Sequence, residues 1–248
     1  ALDVGYKADL LRNMGGGIEK GGRPMTHLDI GLTADFGKLL NWPGASAYVN
    51  LIHDGGSPLN TRQVGSLTGV SNIEVATNSH RLLHAWLQQE FADGRGAILV
   101  GLYPIDSEFQ VMDSAGLFVQ PPYGATADIA LTRGPSIFNT SSFGFRGRWL
   151  SADRSAYLQG AVLDGIPGDP NNPRGTHVRF DKGDGIMSIL ELGLKPGEAT
   201  QAVATKAEAG KDEAGERVEK YAAGLWRYSS RVADQLDTNP DGSPVNRL

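Results

Sequence analysis

The sequence predicts an all-β protein, an antiparallel transmembrane β-barrel, and three observations carry that prediction. Apolar and polar residues alternate with a two-residue period through segment after segment, which puts one set on each face of a strand. Most of these segments approach the ~9–11 residues that a tilted strand needs to cross a bilayer. The connections between them alternate between long and short, as in a membrane barrel with tight turns at one rim and large loops at the other. A soluble sandwich has no reason to keep that rhythm.

Leu2, Val4, Tyr6, Ala8 and Leu10 alternate with Asp3, Gly5, Lys7 and Asp9, and a Gly-rich linker, Gly15 to Gly22, follows. In the second segment Leu28, Ile30, Leu32, Ala34 and Phe36 fall on one face, and His27, Asp29, Gly31, Thr33 and Asp35 on the other. After the turn Asn41–Gly44, a third strand sets Ala45, Ala47, Val49 and Leu51 against Ser46, Tyr48 and Asn50. A long polar loop, Asp54 to Ser79, leads to His80–Phe91. Length alone does not separate helix from strand there. The tight hairpin turn Ala92-Asp93-Gly94-Arg95-Gly96, running straight into the apolar strand Ala97–Tyr103, selects strand.

Further strands are expected at Phe143–Leu150, Ala156–Leu163, Ile186–Leu194 and Tyr221–Tyr228, which gives about nine. The chain then reaches Leu248 with no final strand in view. Because a bacterial barrel pairs every edge and has an even strand number, the expectation is an incomplete wall, with the chain a fragment. One connection breaks the rhythm. Residues 196–217 fall where a short turn is due, yet they are long and rich in Ala, Glu, Lys and Gly. Ala199–Arg217 has helix-forming composition, with Glu216 and Lys220 at i,i+4 spacing, weakened by Gly210 and Gly215.

Pro104 to Ser142 is the stretch around which the chain is organised. It keeps no strand period and is far longer than the roughly 2–6 residues usual between elements. It carries Phe109, Val111, Leu117, Phe118, Ile129 and Phe138, too many apolar residues for a disordered segment. The expectation is an ordered loop folded into a space that the β-framework encloses, within a single domain spanning 1–248.

Composition excludes other classes. Thirty-three glycines in 248 residues is nearly twice the usual share of roughly 7%. The formal net charge of −5 supplies no basic stripe, so nucleic acid is not a partner. No cysteine is present, which removes disulfides and thiolate metal sites. No apolar run approaches the ~18 residues of a transmembrane helix. The first residues have no basic or apolar leader character, so an export signal is expected to be gone already.

The chain resembles the carbohydrate-selective porins of Gram-negative outer membranes, the OprB-like family. The matching stretches are Asp9-Leu10-Leu11-Arg12-Asn13-Met14-Gly15-Gly16-Gly17, Leu39-Leu40-Asn41-Trp42-Pro43-Gly44-Ala45-Ser46 and Gly69-Val70-Ser71-Asn72-Ile73-Glu74. They continue with Arg81-Leu82-Leu83-His84-Ala85-Trp86-Leu87, Ser107-Glu108-Phe109 and Ser114-Ala115-Gly116-Leu117-Phe118. Gly165-Ile166-Pro167-Gly168-Asp169-Pro170 and Arg174-Gly175-Thr176-His177 complete the set. The resemblance implies a 16-stranded barrel whose third long loop folds inward to narrow the pore, with 104–142 in that slot. It also implies that this chain is roughly the N-terminal half. His84 stands where the family often has an acidic residue, and 196–217 is longer than the family pattern.

A passage that favours neutral sugars wants planar aromatics for the sugar faces and paired charged groups for the hydroxyls. Arginine offers a fixed fork of donors that a carboxylate matches, and binding must stay weak and multi-site for the solute to leave. The candidate constriction is Arg81, Arg146 and Arg148 on the strands with Asp106, Glu108 and Asp113 on the loop. Trp86 shares lumen parity with His84, Gln88 and Glu90 and is the stacking candidate. Arg81 shares strict parity with Leu83, Ala85 and Leu87, so only a bulge or a position above the lipid turns it inward. Trp42, Tyr103, Trp149 and Tyr221 lie near strand ends and suit an interfacial girdle.

The five histidines are scattered without metal-ligand spacing, and Asp169–Pro173 lacks the spacing and terminal glutamate of a calcium loop. No nucleophile elbow, phosphate loop or metalloprotease motif is present. The expected function is therefore passive sugar diffusion across an outer membrane, without enzyme activity or cofactor. Its partners are sugars and outer-membrane lipids, and association into homo-oligomers is left open. The alternative is a soluble all-β carbohydrate-binding module.

Overall fold

A computed structural model describes residues 1–121, 124–132, 134–195 and 219–247. The 196–217 connection, with its helix-like composition, lies outside the described residues. Nine strands form one sheet in chain order: β1 (Leu2–Asn13), β2 (Gly21–Asp35), β3 (Ala45–Gly56), β4 (Ser79–Phe91), β5 (Gly96–Tyr103), β6 (Ser142–Leu150), β7 (Ala156–Asp164), β8 (Ile186–Leu194) and β9 (Tyr221–Tyr228). Every neighbouring pair is antiparallel. β1 and β2 extend beyond their alternating cores, because backbone pairing runs on to Asn13↔Gly21 after the side-chain pattern fades. Two further strands, β10 (Val232–Thr238) and β11 (Pro244–Arg247), pair with each other. Sequence reasoning expected no strand there, since Asp234, Gln235 and Asp237 leave no apolar face to read.

The two faces of the sheet are chemically distinct. On β8 Ile186, Leu190, Leu192 and Leu194 point outward and are exposed, while Met187, Ile189 and Glu191 point inward and are buried. The same holds on β2, where Leu32 is 54% exposed and His27 is 6% exposed. A band of exposed leucine and isoleucine along successive strands is what hydrocarbon contact requires; water would drive it into a core.

Three local features depart from the simple alternation. Phe36, expected to extend the outer face of the second strand, instead begins α1 (Phe36–Leu40). Asp35 caps that turn by accepting the Lys38 N–H at 3.2 Å, and Asn41 closes it in the left-handed region at φ 53°. Phe36 then stacks on Trp42 at 6.2 Å. Tyr103, expected in the interfacial girdle, is fully buried in the interior cluster, while Trp42, Trp149 and Tyr221 are exposed. On β4, Asn50 pairs with His84 and Leu51 with Leu82, so Leu83 is an extra, bulged residue. The bulge reverses the parity below it and sets Arg81 opposite buried Ile52, on the inner face.

Before Ala85, β4 has no β5 partner because β5 ends at Tyr103. Side chains take over there: the Leu82 N–H donates to Thr176 Oγ1 at 2.6 Å, and Ser141 Oγ donates to the Leu83 carbonyl at 2.5 Å. The chain that would have continued β5 turns inward instead.

Candidate functional site

The inward segment leaves β5 after Tyr103 and rejoins β6 at Ser142, so Ser142 belongs to the strand. Its neck is closed by hydrogen bonds. The Ile105 N–H donates to the Ser136 carbonyl at 2.6 Å. Ser136 Oγ donates to the Tyr103 carbonyl at 2.9 Å and accepts from the Ser142 N–H at 2.7 Å. Asp106 accepts the Phe138 N–H at 3.1 Å, which ties the outgoing arm to the returning one. Burial of this carboxyl pushes its pKa up to about 6, against the opposing pull of the Phe138 hydrogen bond.

Apolar packing holds the loop against the wall. Phe109 and Ile129 are buried in a cluster with Leu99 and Tyr103 of β5, Ala161 and Leu163 of β7, Met187 and Ile189 of β8, and Tyr228 of β9. Trp86 packs on the edge of this cluster and also lies 5.6 Å from Tyr48. Of the six apolar loop residues noted in the sequence, Phe109 and Ile129 anchor the loop, whereas Leu117 and Phe118 stay exposed. The returning arm is pinned to the opposite side of the wall. Asn139 Nδ2 donates to Asp54 Oδ2 at 2.8 Å, and Asp54 Oδ1 hydrogen-bonds His27 Nδ1 at 2.7 Å. The His27 ring meets Phe138 edge-on at 5.4 Å.

Among the sequence-predicted residues the structure joins two directly. Arg146 Nη2 and Glu108 Oε2 form an ion pair at 2.7 Å, with Arg146 only 2% exposed. The same Nη2 donates to Gln88 Oε1 at 2.9 Å, and Gln88 Nε2 donates to Glu90 Oε1 at 3.2 Å. Arg148 occupies the next inner position on β6, with Ala97 between it and Glu90 in register. Arg146 Nε and Nη1 and Arg148 Nε have no hydrogen-bond partner within the protein. Arg81 faces inward but is engaged elsewhere: Nε donates to Ser79 Oγ at 2.8 Å, and Nη2 donates to the Pro173 carbonyl. Asp106 meets the loop backbone. Asp113 opens a short 3-10 turn, Asp113–Leu117, and its side chain is outside those described.

Sequence reasoning passed over several interior polar residues. Glu191 on β8 is 4% exposed and accepts from Tyr157 Oη at 2.6 Å, Gln159 Nε2 at 3.1 Å and the Gln110 N–H at 2.7 Å. Gln159 also donates to the Glu108 carbonyl at 2.6 Å. A single carboxylate at inner parity in the apolar run Ile186–Leu194 was the available signal. His27 and Asp54 gave none, being 27 residues apart and joined only by the β2–β3 register.

Beside the loop, a cavity of about 660 Å³ opens toward the inner faces of β1 and β2, lined among others by Lys7, His27, Asp29, Glu74, Asp106 and Phe138. An antiparallel wall with an apolar outside, a partly polar inside and a loop folded across that inside defines a transmembrane β-barrel of the porin class. The sequence matches the carbohydrate-selective porin, OprB family, over residues 19–246, and the chain belongs to that family. Among solved structures it is similar to Pseudomonas putida OprB at high pH, with a TM-score of 0.78 at 17% identity over 98% of this chain and 56% of that one. The low-pH structure of Pseudomonas putida OprB matches with a TM-score of 0.53 at 14% identity, over 93% of this chain and 56% of that one. At such identities the likeness concerns the fold. A search of curated proteins found no match. The chain thus spans about half the length of the solved structures it matches.

Proposed function

We propose that the protein is a passive channel for sugars in a Gram-negative outer membrane, narrowed by the loop at 104–142. The observation that carries this reading is the inner patch formed by Arg146, Glu108, Arg148 and Glu90. It holds two guanidinium groups and two carboxylates, so its charges largely cancel and select weakly for either sign of ion. Arg146, only 2% exposed, stands behind Glu108 and holds it, while Glu108, Arg148 and Glu90 are partly exposed on the inner surface. Sugar hydroxyls, each donor and acceptor at once, suit that mixture, and a fixed guanidinium fork orients them. Trp86 and Tyr48 offer ring faces on the same inner wall.

In this reading Glu108 and Arg148 contact the solute, Arg146 holds Glu108 in place, and Trp86 stacks on the solute. Asp106 and Arg81 support the frame, and Asp113 remains on the loop that narrows the passage. The outer apolar face supports contact with membrane lipid. The account needs no cofactor or covalent step.

The test uses the full-length protein in liposomes, with Glu108→Ala and Arg148→Ala. The sugar-to-ion permeability ratio is expected to fall in both. Unchanged flux and selectivity would remove these residues from the site. A full-length protein that stays folded and monodisperse in plain buffer would overturn the membrane reading itself.

A further inference from the structure

We infer that Glu191, a wall residue distant in sequence from the loop, is the positioning residue that fixes where the loop stands and where Glu108 meets Arg146. The inference rests on the channel reading above and adds to it the element that sets the aperture. Glu191 sits on the inner face of β8, a rigid strand paired on both sides. Its two oxygens divide their work. Oε1 accepts from Tyr157 Oη and Gln159 Nε2, both on β7, which fixes the carboxylate to the wall. Oε2 accepts the backbone N–H of Gln110, which belongs to the loop.

The fit depends on glycine at 193. A Cβ there would stand 2.1 Å from the Tyr157 ring, so only glycine lets that tyrosine lie across β8 and reach the carboxylate. Gln110 in turn stands at φ 57°, in the left-handed region that a glutamine adopts only when its surroundings hold it. The bond from its N–H to a buried carboxylate is such a hold.

Two paths spread the constraint from this point. Through Gln159, which also donates to the Glu108 carbonyl, Glu191 fixes the residue whose side chain pairs with Arg146. Through the Gln110 side chain it reaches the far arm of the loop. Gln110 Nε2 donates to Thr126 Oγ1 at 2.8 Å, and the Thr126 N–H donates to Gln110 Oε1 at 2.9 Å. Lys220, ahead of β9, adds a donor to the Val111 carbonyl while its ammonium lies 4.0 Å from Glu191. One buried carboxylate therefore meets two wall donors and one loop donor. Its removal would strand the Gln110 N–H and free both arms.

The absence of cysteine allows a clean probe: Val111→Cys in the full-length protein, labelled with a charged methanethiosulfonate reagent while single-channel current is recorded. Adding Glu191→Ala should raise the labelling rate by roughly tenfold or more, as expected for loss of two to three charge-assisted hydrogen bonds, and should increase open-channel noise. Glu191→Gln retains one acceptor oxygen and should fall between. Labelling and noise that stay unchanged in Glu191→Ala, with the barrel still folded by its heat-modifiable gel mobility, would overturn the positioning role. Current block by the label at position 111 separates the two claims. If labelling proceeds without changing the current in any background, the loop is outside the conduction path and the channel reading fails; accelerated labelling in Glu191→Ala would still support the anchor.

Discussion

The inner wall has two unlike halves. From β1 to β3 it presents Lys7, His27, Asp29 and Asn50, polar groups that border the cavity or bond one another, as Asn50 Nδ2 does to Asp29 Oδ1 at 2.9 Å. From β5 to β9 it presents an apolar patch, Leu99, Tyr103, Ala161, Leu163, Met187 and Ile189, beside the charged Arg146, Arg148 and Glu191. The loop covers the apolar patch and reaches the first half at one edge, through the Asn139–Asp54 hydrogen bond and the Phe138–His27 ring contact. The lesson is that the inner face of a barrel wall need not be polar throughout. Apolar wall marks where the loop docks, and in the proposed channel the polar wall, Arg148 of β6 included, is what is left for the solute.

The largest effect expected from breaking this division is in the apolar dock. Phe109→Ala removes a fully buried ring from the cluster and should weaken loop docking by about 3–5 kcal/mol. Hydrogen exchange of loop amides and an enlarged single-channel conductance check it. A smaller loss follows at the polar edge. Asn139→Ala leaves buried Asp54 with His27 as its remaining hydrogen-bond partner and should loosen the returning arm by about 1–3 kcal/mol, seen as faster exchange near Phe138 while exchange near Phe109 is unchanged.

The smallest effect is one of pH. Asp106 has its folded pKa raised, so the neutral acid is the form the folded loop prefers. That preference stabilises the loop fully below the ordinary carboxylate range near 4 and is lost as pH rises through about 6. Exchange of the Phe138 amide should therefore quicken between those values. Asp106→Asn, which keeps an acceptor oxygen and cannot ionise, should flatten the dependence.

The same division explains what the sequence could disclose. All nine wall strands and their chain-order pairing were legible, because most alternate apolar and polar residues with a two-residue period, and His80–Phe91 is betrayed by its tight hairpin turn. The inward loop was legible as an anomaly of length and apolar content. The inversion at Leu83 was not, since a bulge adds one residue without altering composition; only Arg81's unfavourable parity hinted at it. Phe36 misled because the capping geometry of Asp35 competed with an apolar pattern that would have continued the strand. Glu108 and Arg146 were each readable as candidates, but their pairing was not, since it depends on how far the loop enters. Glu191, His27 and Asp54 act through partners that adjacent strands bring together. Pairing distances of that kind are written in register, and a single sequence carries register only faintly.

The central claim is that solute passes along the polar groups of the wall, the β1 to β3 side and the Glu108–Arg148–Glu90 patch, while the loop seals the apolar cluster of β5 to β9. Single cysteines at Asp29 and Ile189 of the full-length, otherwise cysteine-free protein test it most directly, with an impermeant thiol reagent added during conductance recording. The account predicts that the cysteine at position 29 reacts and lowers the current, and that the one at position 189 stays protected. Rapid reaction and block at position 189, with position 29 silent, would contradict it.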